Sequence, residues 1–192
     1  MKIKNMLLAS EGKRISKGKQ RAQQIRGDLW PHIGEDMLWN RKEHDGYTTF
    51  PRTLPVVMNI IDSLSKNQPA GRTYFGLWAR TYDESVLIIE NPMSLAAEAG
   101  FSGERAITTW KQRMKALKDM GFIDAEAGST GEFHYVLIFN PHKVVWRIDG
   151  VPKQLMLQLR DRAIEVGATD MTPPIPSAPA KKTAAKKKRG AS

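Results

Sequence analysis

Between Ser102 and Met120 the polar residues Arg105, Thr108, Gln112 and Lys115 recur three or four positions apart, with Ser102 ahead of them and Lys111 at their margin. On a helix that turns about 100° per residue they share one face, opposite Trp110. Those groups suit the edges of base pairs: a guanidinium pairs bidentately with guanine, a glutamine amide with adenine, and a threonine methyl meets that of thymine. Lysines at the same face would hold phosphate oxygens. An ordinary solvated helix face has much the same composition, so the stripe is a candidate rather than a proof. Ser129 and Thr130, between Gly128 and Gly131, add hydroxyls on a segment small enough for a phosphate backbone to approach, although a plain hairpin turn uses the same residues.

A second set of cations lies at the two ends. Residues 1–30 hold eight lysines and arginines, among them Lys13, Arg14, Lys17, Lys19 and Arg21, against Glu11 and Asp28. Residues 171–192 hold Lys181, Lys182, Lys186, Lys187, Lys188 and Arg189 with no acidic side chain. The formal net charge is +10, so basicity is concentrated in two arms around a slightly acidic body, the distribution expected of extensions that track a polyanion.

Other chemistries leave no trace. There is no cysteine, hence no disulfide, thiolate metal site or thiol nucleophile. No Gly-x-x-x-x-Gly-Lys-Ser/Thr loop or His-Glu-x-x-His zinc helix occurs. The histidines His32, His44, His134 and His142 are scattered without partners at ligand spacing, and His134 is expected to be structural. No catalytic residue, metal or cofactor is expected. No stretch approaches the ~18 apolar residues of a membrane span, so a soluble, cytoplasmic and nucleoid-associated protein is expected.

The elements that must position these residues are legible from periodicity. Thr53 can cap a helix with Pro55 in its first turn and Leu54, Val57, Met58, Ile61 and Leu64 on one side; Tyr74, Leu77, Trp78 and Tyr82 suggest a second helix. Val86 to Ile89 reads as a short buried strand. Asn91-Pro92 starts a short helix that Gly100 ends, and Ser102 can cap a longer one running to Met120, with Ile107, Trp110, Met114 and Leu117 inward and Gly121 as its stop. Phe122 to Phe139 reads as two strands around the turn 128–131. Lys143 to Ile148 fits an extra strand or a short packed segment. Pro152 opens a last helix with Leu155, Met156, Leu159 and Ala163 on one face.

Residues 95–139 thereby resemble the winged-helix (winged helix-turn-helix) DNA-binding proteins of bacterial and plasmid type. The resemblance rests on Leu95-Ala96-x-x-Ala99-Gly100-Phe101-Ser102, on Met114-x-x-Leu117-x-x-Met120-Gly121-Phe122-Ile123, and on the hairpin that follows. In one respect the chain departs from the family: Gly100 and Gly121 stand about one helical turn further apart than the corresponding glycines usually do. The Lys/Ala/Pro tail resembles those of linker histones in composition. These resemblances imply an α+β, mainly helical fold: a winged helix-turn-helix with a β-hairpin wing and disordered basic tails. The division expected is a basic arm at 1–30, a connector packed on the core at 31–50 through Trp30, Pro31 and Trp39, a DNA-binding domain at 51–140, an extension with an amphipathic helix at 141–168, and a disordered tail at 169–192. The function implied is binding of double-stranded DNA through helix 102–120 and the wing, as a transcription regulator or a replication or maintenance factor of a plasmid or mobile element. A histone-like architectural role and a winged-helix protein-interaction module are the alternatives. The face of helix 153–166 is a candidate homodimer contact, with closure onto its own core as the alternative.

Overall fold

A computed structural model of the protein describes residues 17–171. The candidate residues Lys13, Arg14, Lys181, Lys182, Lys186, Lys187, Lys188 and Arg189 lie outside the described residues. The chain divides into two units, Met1–Tyr47 and Thr48–Ser192.

In the first unit residues 17–29 are helical (α1) and almost wholly exposed. Lysine, arginine, glutamine and alanine dominate this run, and all four favour helix without needing a buried face. Arg26 reaches past the helix end to form a two-pronged ion pair with Glu35, which opens a 3-10 turn at Glu35–Met37. Trp30 and Trp39 are 52% and 63% exposed. The Trp39 ring stacks on His44 and meets Tyr47 edge-on at 5.9 Å, both within the same unit.

The second unit is α+β. Helices α2 (Leu54–Leu64), α3 (Gly71–Ala79), α4 (Pro92–Glu98), α5 (Ala106–Asp119), α6 (Pro141–Val145) and α7 (Lys153–Val166) accompany strands β1 (Val86–Ile88), β2 (Ile123–Gly128) and β3 (Gly131–Ile138). The strands form one antiparallel sheet in the order β1-β3-β2. Leu54, Val57, Ile60 and Ile61 of α2, Tyr74 and Leu77 of α3, and Trp110, Met114 and Leu117 of α5 are buried together with Phe122, Ile123 and Val136. The helical period of these residues is what turns each helix inward. Asp62 of α2 accepts the Gly71 N–H at 2.7 Å, so the second helix of the unit is capped by the first.

Several elements differ from the sequence expectation. Thr53 stands at the start of α2 but its side chain makes no cap bond. α3 ends at Ala79, which leaves Tyr82 outside it and 81% exposed. β1 is not buried on both sides: Leu87 and Ile89 point inward while Val86 and Ile88 are exposed, because only one face of the sheet is covered. Of the two expectations for residues 143–148, the short packed segment holds and the strand does not: residues 143–145 complete α6, because Asn140 accepts from the His142 and Lys143 N–H groups and Pro141 takes the first helical position. The apolar side of α7 closes on α2 of the same chain, with Leu159 and Ala163 buried and Leu155 and Met156 partly so. Among the described residues no helix is long and apolar enough to cross a membrane.

Trp110 is 1% exposed and lies edge-on to Phe133 of β3, 6.0 Å between ring centroids. Trp110→Ala should therefore cost about 3–5 kcal/mol through lost burial and the cavity left behind, read as a lower urea midpoint with an unchanged m-value.

Candidate nucleic-acid interface

The candidate residues on α5 depend on where that helix begins and how it is rotated. α4 closes with paired backbone bonds, Gly100 N–H to Ala97 O and Phe101 N–H to Ala96 O, both 2.9 Å, in which Gly100 takes the left-handed φ of +86°. The guanidinium of Arg72, from α3, packs so tightly here that a Cβ on Gly100 would lie 2.7 Å from its Nη1. A second left-handed glycine, Gly103 at φ +76°, extends the connection, and α5 starts only at Ala106. Ser102 is therefore an exposed turn residue and not the helix cap.

With Ala106, rather than Ile107, leading the buried stripe that continues through Trp110, Met114 and Leu117, the opposite face carries Arg105, Thr108, Gln112 and Lys115. All four are exposed, and the side chains of the first three make no hydrogen bond or ion pair among the described residues. Lys115 has only a long exposed pairing to Asp119, 3.7 Å, on the next turn. Lys118 is otherwise engaged: it bonds the Ala125 carbonyl at 2.6 Å and pairs with Asp124, tying the end of α5 to β2.

The hairpin tip is brought beside this face. Lys111 is half-buried, and its Nζ lies 3.9 Å from where a Cβ on Gly131 would stand. Ser129 is exposed at the tip. Thr130, in contrast, turns inward, its hydroxyl donating to the Ile89 carbonyl and lying 2.8 Å from His134 Nδ1. That bond pins the hairpin to the end of β1 and removes Thr130 from the candidate donors. His134 is buried there, and Gly128 packs on its ring so closely that a Cβ would meet Cδ2 at 2.2 Å. Lys17, Lys19 and Arg21 are exposed on α1, in the other unit.

Arg72 and Arg113 flank the connection and were not distinguished in the sequence. Arg113 donates to Gln68 Oε1 at 3.1 Å and lies over the Phe101 ring. Phe101 at the α4–α5 turn offers a ring for a basic residue about two turns into α5 to cover, but nothing in the spacing reveals Arg72.

A buried polar cluster also escaped the sequence reading. His142 is 4% exposed; its Nε2 meets the Thr53 hydroxyl at 2.7 Å and its Nδ1 meets Asp170 Oδ1 at 2.7 Å, while Asn140 Nδ2 donates to the other Asp170 oxygen, also at 2.7 Å. Thr53 is 1% exposed, and the chain of bonds acts as a clasp joining the start of α2, the start of α6 and the segment after α7. Burial pushes the Asp170 carboxyl up, but the hydrogen bonds from Asn140 and His142 outweigh it and hold the group below its ordinary range. The signal that reveals half of this is Asn140-Pro141, which repeats the cap-and-proline pair of Asn91-Pro92.

No protein-family model, curated protein or solved structure matches the chain.

Because Asp170 is held below the ordinary carboxylate value of about 4, its contribution to stability is complete at neutral pH and is lost as pH falls below that value. Urea midpoints followed from about pH 6 to pH 3 should drop at the acid end, and Asp170→Asn should lower the neutral value while flattening that drop. His142→Ala should cost about 1–3 kcal/mol at neutral pH, since it strands the buried Thr53 hydroxyl.

Proposed function

We propose that this protein binds duplex DNA as a winged-helix module, with α5 lying in the major groove and the β2–β3 hairpin acting as the wing along the neighbouring backbone. The observation that carries the reading is the stripe of Thr108, Gln112 and Lys115 on a 14-residue helix, with Arg105 at its N-cap: all four are exposed, the side chains of Arg105, Thr108 and Gln112 have no partner among the described residues, and the other side of the helix is locked by Trp110, Met114 and Leu117. The major groove admits an α-helix, and its base edges match these groups: guanine for Arg105, adenine for Gln112, the thymine methyl for Thr108. Lys115, Lys111 and the Ser129 hydroxyl suit phosphates, as does Arg72 beside the α4–α5 turn. The basic residues of the two ends add affinity without sequence preference through counterion release. A protein of this kind serves as a transcription regulator or as a replication or maintenance factor of a plasmid or mobile element.

The architectural reading, in which the arms alone bind, leaves the unpartnered α5 donors without a use. The two are separated by substitution. Arg105→Ala and Gln112→Ala should each weaken binding to a selected duplex by about 1–3 kcal/mol and relax preference at one base pair. Lys115→Ala should weaken all duplexes alike and lower the salt slope by about 0.9. Fluorescence anisotropy over a salt series measures both, and affinities unchanged in all three variants would contradict the reading.

A further inference from the structure

The outer face of the sheet carries apolar side chains that stand exposed among the described residues. The register sets Val86 opposite Leu137 and Ile88 opposite Tyr135, and on β2 places Asp124 beside Leu137 and Glu126 beside Tyr135. Val86 and Ile88 are 49% and 62% exposed, Tyr135 and Leu137 are exposed too, and so is Tyr82 just ahead of β1. A one-sided antiparallel sheet normally turns polar residues to water, and contiguous apolar side chains there mark an interaction surface.

β1 is also an edge strand. Ile89 N–H donates to His134 O at 2.7 Å and Ser85 O accepts from Ile138 N–H at 2.8 Å. Alternation along the ladder turns Ser85, Leu87 and Ile89 toward β3, which leaves the N–H and C=O groups of Val86 and Ile88 on the open edge. Natural edges are guarded by shortness, by charge, by proline or by a bulge; β1 is three residues long but holds no lysine, proline or bulge, and a groove beside it is walled by Ala79, Arg80, Tyr82 and Leu95.

Charge selects the occupant. Glu84 and Glu90 bracket β1 and Glu126 closes the outer face, all exposed and without an ion pair among the described residues. Arg80, the cation in the groove, is already held by Glu98. Two copies of β1 pairing antiparallel about Leu87 would set Glu84 of each copy opposite Glu90 of the other, and like charges directly opposite destabilise a sheet. A strand that alternates apolar and basic residues satisfies the open backbone, the apolar face and the acidic rim together.

We propose that β1 receives such a segment of a protein partner as a fourth strand, bonded to the backbone of Val86 and Ile88, with its apolar side chains beside theirs and its lysines or arginines near Glu84 and Glu90. The inner face of the sheet, carrying Leu87, Ala125, Val136 and Ile138, joins the core that holds Trp110, Met114 and Leu117 of α5. The surface is thus on the opposite side from the stripe assigned to DNA, and either assignment can fail alone.

The test titrates the isotope-labelled full chain with a heptapeptide of alternating lysine and valine, and in parallel with its glutamate–valine counterpart, by NMR. The expected result is saturable shifts at 86–88 and 135–137, slowed amide exchange at Val86 and Ile88, and affinity about tenfold or more above that of the acidic peptide, a gap of some 1.4 kcal/mol. Ile88→Pro removes one outward N–H and spares the β1–β3 ladder, so it should weaken binding by a similar factor. The double variant Glu84→Lys/Glu90→Lys keeps the strand intact and should reverse the preference between the peptides. Absence of binding, equal affinity for both peptides, shifts confined to other surfaces, or dimerisation of the free chain through β1 would overturn the proposal.

Discussion

Trp110 meets Phe133 edge-on across the gap between α5 and the sheet, and that contact fixes the rotation of the helix about its axis. A residue as large as tryptophan, 1% exposed, cannot be turned toward water without losing several kcal/mol of burial. Met114 and Leu117 follow it down the same side, so the face carrying Arg105, Thr108, Gln112 and Lys115 has one orientation only. Preorganisation of this kind matters for recognition, because donors that are already aligned lose less entropy on binding. The same sheet fixes the hairpin: Thr130 and His134 anchor its tip to the Ile89 carbonyl, and Lys111 lies in the angle between tip and helix.

Around this rigid centre the polar features divide by task. The cations that flank the α4–α5 connection are held in place by protein contacts, Arg113 by Gln68 and Phe101, and Arg72 against Gly100. The clasp of Thr53, His142, Asn140 and Asp170 gives the buried pair Thr53 and His142 a partner for each side-chain polar atom, so that these two cost little to bury. It fastens the chain at Asp170, just before the lysine-rich end begins. The opposite side of the sheet is acidic and apolar, a chemistry unsuited to a polyanion and suited to a basic strand.

How much of this the residues disclosed depended on the range of the forces involved. Local signals read well: Asn91 with Pro92, Gly100, Gly121 and the 128–131 turn each act through their own backbone, and each stands where periodicity and turn chemistry placed it. The facing of the α5 stripe followed from the single assumption that Trp110 is buried. Boundaries failed where two signals competed. Ser102 is a sound cap by type, but Gly103 two-thirds of the way through the connection adopts a left-handed φ and delays the helix. Val86 to Ile89 is apolar throughout, so the run alone cannot tell a strand covered on both faces from an edge strand with one face bare. Contacts between distant segments were invisible: Thr53 and His142 are 89 residues apart, and Thr130 has the type of a phosphate donor while its hydroxyl serves Ile89.

The central claim is that a structured helix, not the basic ends alone, selects the DNA. The most direct measurement is selection from randomised duplexes by the full chain and by the chain shortened to 1–171, over a salt series, with sequencing of what is retained. Both should recover the same motif, and the shortened chain should show a salt slope smaller by up to about 5, for six phosphate contacts at roughly 0.9 each. Loss of all binding on shortening, or retention without any motif, would contradict it.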